Sequence, residues 1–138
     1  MSNERDDHHS PVGNLKQQWE DEEAERNKLE WQARKLFLEE QANEIFAPIE
    51  NYLTRLHKVL QAFGASVEVS DVWEHIDDQK LRRVAKVNST QPVQQLLLDF
   101  IIQGASISYR DRSYQLSHNT EALMRVIARE VEQFLKPP

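Results

Sequence analysis

An α+β fold is predicted, with a long kinked amphipathic helix at the N-terminus, an antiparallel β-meander of four or five short strands, and a C-terminal helix packed on the sheet. Three features of the sequence predict it. Residues 15–63 hold no glycine and a single proline, and helix formers dominate them. After Gly64 the apolar spacing changes to a period of two. From Leu123 it returns to helical spacing and is stopped by Pro137 and Pro138.

Residues 1–13 are charged and aperiodic, contain Pro11 and Gly13, and read as a disordered leader. Asn14 is a candidate N-cap for a helix over residues 14–63. Within it, Leu38, Ala42, Ile45, Ile49, Tyr52, Leu56, Val59 and Phe63 follow one another at alternating steps of four and three, a coiled-coil-like seam. Phe46, Leu53 and Leu60 widen that seam on one flank. Traced backward, the same register meets Trp31, Lys28, Ala24 and Asp21, so the stripe fades into charge. Pro48 removes the hydrogen bond to Glu44 and is expected to kink the helix, with a split into two helices, Pro48 at N1 of the second, as the rival. Gly64 ends it as the C′ residue.

Residues 64–138 are expected to form a small α+β domain. Val67 and Val69 alternate with Glu68 and Ser70 as a half-buried strand, and Asp77-Asp78-Gln79 reads as a turn. Residues 81–87 are read as strand, although Val69, Trp73, Ile76, Lys80, Val84 and Val87 also fit one helix face. Residues 93–103 are read as a buried strand, with a short helix from Pro92 as the rival. Ile107–Arg110 and Tyr114–Ser117 form a hairpin around Asp111-Arg112-Ser113, and Asn119 or Thr120 caps the last helix. Its apolar face is Leu123, Val126, Ile127, Val131, Phe134 and Leu135.

Composition narrows the function classes. The chain has no cysteine, which removes disulfides, thiolate metal sites and cysteine nucleophiles. Three glycines cannot write a phosphate-cradling loop or a dinucleotide fingerprint. No Gly-x-Ser-x-Gly elbow is present. Neither a signal peptide nor a membrane span is legible, so a cytoplasmic protein without cofactor is expected. Residues 1–63 carry 8 basic against 13 acidic side chains, whereas residues 64–138 carry 9 against 10. An acidic N-terminal half opposes nucleic acid and anionic lipid.

Four groups of residues are candidates for function. The seam from Leu38 to Phe63 suits a homodimer, because a helix of about 50 residues would span ~75 Å, more than the width of a body of ~75 residues. Trp19 and Trp31 lie in the charged part of the helix, where tryptophan is costly to expose and suits an interface anchor, unless the chain's own sheet covers it. Arg82, Arg83, Lys86, Arg110 and Arg112, with Lys80, give a local positive balance, and Tyr109 and Tyr114 flank them. Such a patch suits single-stranded nucleic acid or an acidic segment. Pairing with acids of the same chain or a sister chain, the Glu20–Glu25 run above all, is the favoured reading. The last group is Glu74, His75, Asp77 and Asp78, with Asp6-Asp7-His8-His9 in the leader, whose side chains are of types that ligate a divalent metal, although a polar turn and a solvated tail are the favoured readings and no metal site is expected. On a strand, Glu74 and His75 point to opposite faces and do not converge; on a helix a weak site is conceivable. A surface histidine is the reading of His57, and His118 precedes the last helix without assigned chemistry. The function expected is a non-enzymatic interaction or assembly protein that dimerises through its long helix and meets an unknown protein partner. The alternatives are a nucleic-acid-binding regulator and a metal-dependent enzyme.

Overall fold

A computed structural model describes residues 11–136, with elements in the order helix, six strands, helix. The metal-binding reading of Asp6-Asp7-His8-His9 lies outside the described residues, as do the first ten residues of the proposed leader and the side chain of His118. By compactness the chain divides into two units, Met1–Phe37 and Leu38–Pro138.

Helix α1 runs from Pro11 to Gln61 and contains Pro48 without interruption. It starts three residues ahead of Asn14, with proline at a position where a missing N–H costs nothing. In the first unit this helix is the whole described structure. Its apolar side chains Leu15, Trp19, Leu29, Trp31, Leu36 and Phe37 are all exposed.

In the second unit, the helix from Leu38 onward is amphipathic. Phe46, Ile49 and Leu53 are fully buried, and Ala42 and Leu60 nearly so. Each large apolar side chain removed from water contributes ~1.5–3 kcal/mol. This is why the compact unit begins at Leu38 rather than at Gly64: these side chains cover part of the sheet's inner face. Gly64 adopts φ +74° and donates its N–H to the Gln61 carbonyl, closing the last turn.

The sheet is antiparallel throughout, in the order β1 (Ala65–Val69), β3 (Lys80–Thr90), β4 (Val93–Gln103), β5 (Ser106–Tyr109), β6 (Arg112–Gln115), with β2 (Glu74–His75) also on β3. Residues 81–87 and 93–103 are strands, not helices. Paired across a two-residue Gln91–Pro92 turn with a cis peptide bond, β3 and β4 are 11 residues each, longer than the short strands the sequence predicted. Leu81, Arg83, Ala85 and Val87 of β3 share the inner face with Leu98, Phe100 and Ile102 of β4, while Arg82, Lys86 and Asp99 lie on the outer face.

The last hairpin departs from expectation. The turn is the pair Arg110-Asp111, both at positive φ (51° and 64°), and not Asp111-Arg112-Ser113. Two-residue turns of this kind match the right-handed twist of the flanking strands. Tyr109 then pairs with Arg112 and Ile107 with Tyr114, so Leu116 falls out of the hairpin and opens α2 (Leu116–Leu135). That helix begins ahead of Asn119, and its N-cap Gln115 makes no side-chain cap. Leu123, Ile127 and Val131 of α2 are buried, and Met124, Val126, Phe134 and Leu135 pack around them. Both helices of this unit cover the inner face: Phe46 meets Phe100 edge-on at 5.2 Å, and Phe100 stacks on Tyr109. The Tyr109 hydroxyl in turn donates to Glu130 of α2.

Candidate interaction surfaces

Along α1 in the second unit, three polar side chains beside the apolar stripe engage the segment from Trp73 to Arg83. Glu39 Oε2 lies 3.1 Å from His75 Nε2. Asn43 Oδ1 accepts the Trp73 indole N–H at 2.7 Å. Glu50 Oε2 is 3.4 Å from Arg83 Nη1. Arg83 is only 8% exposed; its guanidinium lies 4.5 Å from the Trp73 ring centroid and 5.7 Å from that of Phe46. Its Nε has no hydrogen-bond partner among the described residues. Stacking on indole is what holds this cation in an otherwise apolar place. His57, on the same helix, accepts the backbone N–H of Val67 on Nδ1 at 2.9 Å. It therefore covers a donor on the unpaired side of β1, which would otherwise template another strand. Periodicity singled out neither this role nor the partners of Glu39, Asn43 and Glu50; their only signal is placement at steps of four and seven beside the buried stripe.

The predicted dimer seam is divided by this packing. Ala42 and Ile49 are part of the chain's own core, because the inner sheet face reaches them first. Leu38, Ile45, Tyr52 and Leu56 are half-buried against that core, and burial pushes the Tyr52 hydroxyl's pKa up despite Arg55 nearby. Only Val59 and Phe63 remain exposed, Phe63 at 75%. Leu56, Leu60 and Phe63 border a groove of about 510 Å³, with Val131 and Leu135 of α2 on the other side. Trp19 and Trp31 are both exposed, and Lys35 Nζ sits 4.2 Å from the Trp31 ring centroid.

The basic residues do not form one patch. Arg82 on the outer face makes a forked contact with Asp99, with Nε 2.9 and 3.0 Å and Nη2 2.8 Å from the carboxylate oxygens, and a further bond to Glu74 at 3.2 Å. Those bonds, Asp99 first, raise its pKa further. Arg83 faces inward. Arg110 bonds Glu130 at 3.3 Å and the Leu97 carbonyl at 2.7 Å. Lys86 and Arg112 have no ion pair among the described residues. Tyr109 and Tyr114, which would have to stack on bases, are buried on the inner face. Within the second unit, the acids that meet Arg82, Arg83 and Arg110 are Asp99, Glu74, Glu50 and Glu130.

Glu74 and His75 take partners on opposite sides of β2, Arg82 and Glu39, so they do not converge on a metal. Asp77 instead accepts the backbone N–H groups of Gln79 and Lys80 at 2.8 and 2.9 Å, which hold its carboxyl below the usual carboxylate range. Among the described residues no cluster of three His, Asp or Glu side chains is placed to hold a metal ion, and no helix is long and apolar enough to cross a membrane.

Tyr109 supplies a pH-dependent prediction. Burial first, and then the bond to Glu130, raises the hydroxyl's pKa well above its ordinary value near 10. The folded state thus favours the neutral phenol, so its contribution is intact below about pH 10 and is lost as pH rises toward the folded value. Urea midpoints of the wild type are expected to fall above about pH 10, and those of Tyr109→Phe to fall less. Parallel declines in the two proteins would show that Tyr109 is not the titrating group.

Comparison with protein-family models, with curated proteins and with solved structures returned no match.

Proposed function

We propose that the chain is a non-enzymatic, cytoplasmic interaction or assembly protein, and that its association surface is the apolar face of α1 ahead of Leu38. The observation that carries this reading is the exposure of Leu15 (51%), Trp19 (68%), Leu29 (58%) and Leu36 (62%) along one helix. Side chains of this size on a charged helix are costly to leave in water and supply most of the binding energy when covered. The seam from Leu38 onward, by contrast, is largely used within the chain.

Cross-linking in solution and in cell extract, read by mass spectrometry, tests the proposal. Links from residues 14–37 to another polypeptide, lost in a Leu29→Ser/Leu36→Ser variant, support it. Links confined to a single chain overturn it. The nucleic-acid reading has less support, since three of its five cations are paired and its tyrosines buried. Labelled single-stranded RNA and duplex DNA are expected to show no salt-sensitive anisotropy change at micromolar protein. Binding that weakens steeply with salt and is lost on replacing Lys86 and Arg112 with alanine would reverse that ranking.

A further inference from the structure

We infer that the partner of this face is a second copy of the same chain, paired antiparallel over residues 12–36, an inference that rests on the interaction reading above. The exposed positions Leu15, Trp19, Leu29, Ala33 and Leu36 belong to one heptad series whose remaining members are Glu22 and Arg26. Continued forward, the series reaches Glu40, Asn43 and Ala47 rather than Ala42, Phe46 and Ile49. It is therefore not the stripe that covers the sheet, and the sheet does not explain it.

Charge decides both the occupant and its direction. Residues 14–25 carry one lysine against five acids, a net of -4, while residues 26–37 carry four bases against one acid, a net of +3. A helix with its charge divided this way complements itself only when reversed. In the antiparallel register whose facing positions sum to 48, Trp19 faces the second copy's Leu29 and Leu15 faces its Ala33. The two interruptions of the seam, Glu22 and Arg26, then face each other, twice by symmetry. Polar residues inside a seam fix register and orientation in this way, at some cost in affinity. A parallel pair would instead set Glu22 on Glu22 and Arg26 on Arg26.

Charge reversal and distance measurement on the full chain test the inference together. Glu22→Arg alone and Arg26→Glu alone are each expected to weaken dimerisation about tenfold or more in sedimentation equilibrium. An equimolar mixture of the two is expected to return to wild-type affinity. Because the sequence has no cysteine, single cysteines at Lys16, Glu23 and Gln32 accept spin labels without background. The antiparallel register sets the two labels about 3 Å apart along the axis at position 23, and about 24 Å apart at positions 16 and 32. Short distances at all three positions would overturn the inference in favour of a parallel pair. A 16.2 kDa species at every concentration would overturn self-association itself. If such a monomer still cross-linked a different protein through residues 14–37, the interaction reading would stand without this inference; if it captured nothing, both would fall.

Discussion

Ile49→Asp is expected to unfold the second unit or to cost about 4 kcal/mol or more, the largest effect of any single change considered. Ile49 is fully buried among Phe46, Leu53 and the sheet, so the substitution deletes a packed side chain and places a carboxylate in the apolar core. Leu56→Asp should cost less, since Leu56 lies at the border of the groove and its carboxylate can reach water. Glu44→Ala, at an exposed position of the same helix, should stay within about 0.5 kcal/mol. Chemical denaturation read by far-ultraviolet circular dichroism separates the three. Equal midpoints would mean that the stripe from Ala42 to Leu60 is not what covers the sheet.

The second large effect is at Arg83, and its sign depends on the replacement. Arg83→Ala should cost about 3 kcal/mol, because it empties the space beside the Trp73 and Phe46 rings, which themselves meet edge-on. Arg83→Met should be near neutral or stabilising. The thioether fills that space and favours aromatic neighbours, and the unpartnered Nε is removed with the charge. Glu50 would be left without a partner in both variants, but its side chain is about half exposed and keeps its hydration. Urea midpoints order the variants as Met at or above wild type, with Ala well below. If Met fell as far as Ala, the ion pair with Glu50 would be the main contribution, and the packing argument would fail.

What was legible in the sequence follows from what is local. Steps of four and three from Leu38 to Phe63 located a helix with a buried face, and alternation at Val67 and Val69 located a half-buried strand. Which seam positions are deepest was not legible. The flank residues Phe46, Leu53 and Leu60 are more buried than Val59 and Phe63, because the sheet, a non-local element, selects the arc it covers. The hairpin shifted for a related reason: the twist of β5 and β6 selects a two-residue turn, and Asp111 tolerates the left-handed conformation it demands. The five-residue basic patch was misleading. Alternation along β3 sends Arg82 and Arg83 to opposite faces, and the acids that meet them lie 8 to 33 residues away in sequence. Glu22 and Arg26 break the apolar series from Leu15 to Leu36, so spacing alone does not mark it, and the exposure of its other members brings it out.

Hydrogen exchange at two protein concentrations tests the central claim, that two copies of the chain associate through the apolar face ahead of Leu38. Amides of residues 15–37 should exchange rapidly at high-nanomolar concentration and become protected at about 100 μM, while those of β3 and β4 stay protected at both. A Leu29→Ser/Leu36→Ser variant should show rapid exchange over residues 15–37 throughout. Equal exchange of that segment at both concentrations, unchanged in the variant, would contradict the account.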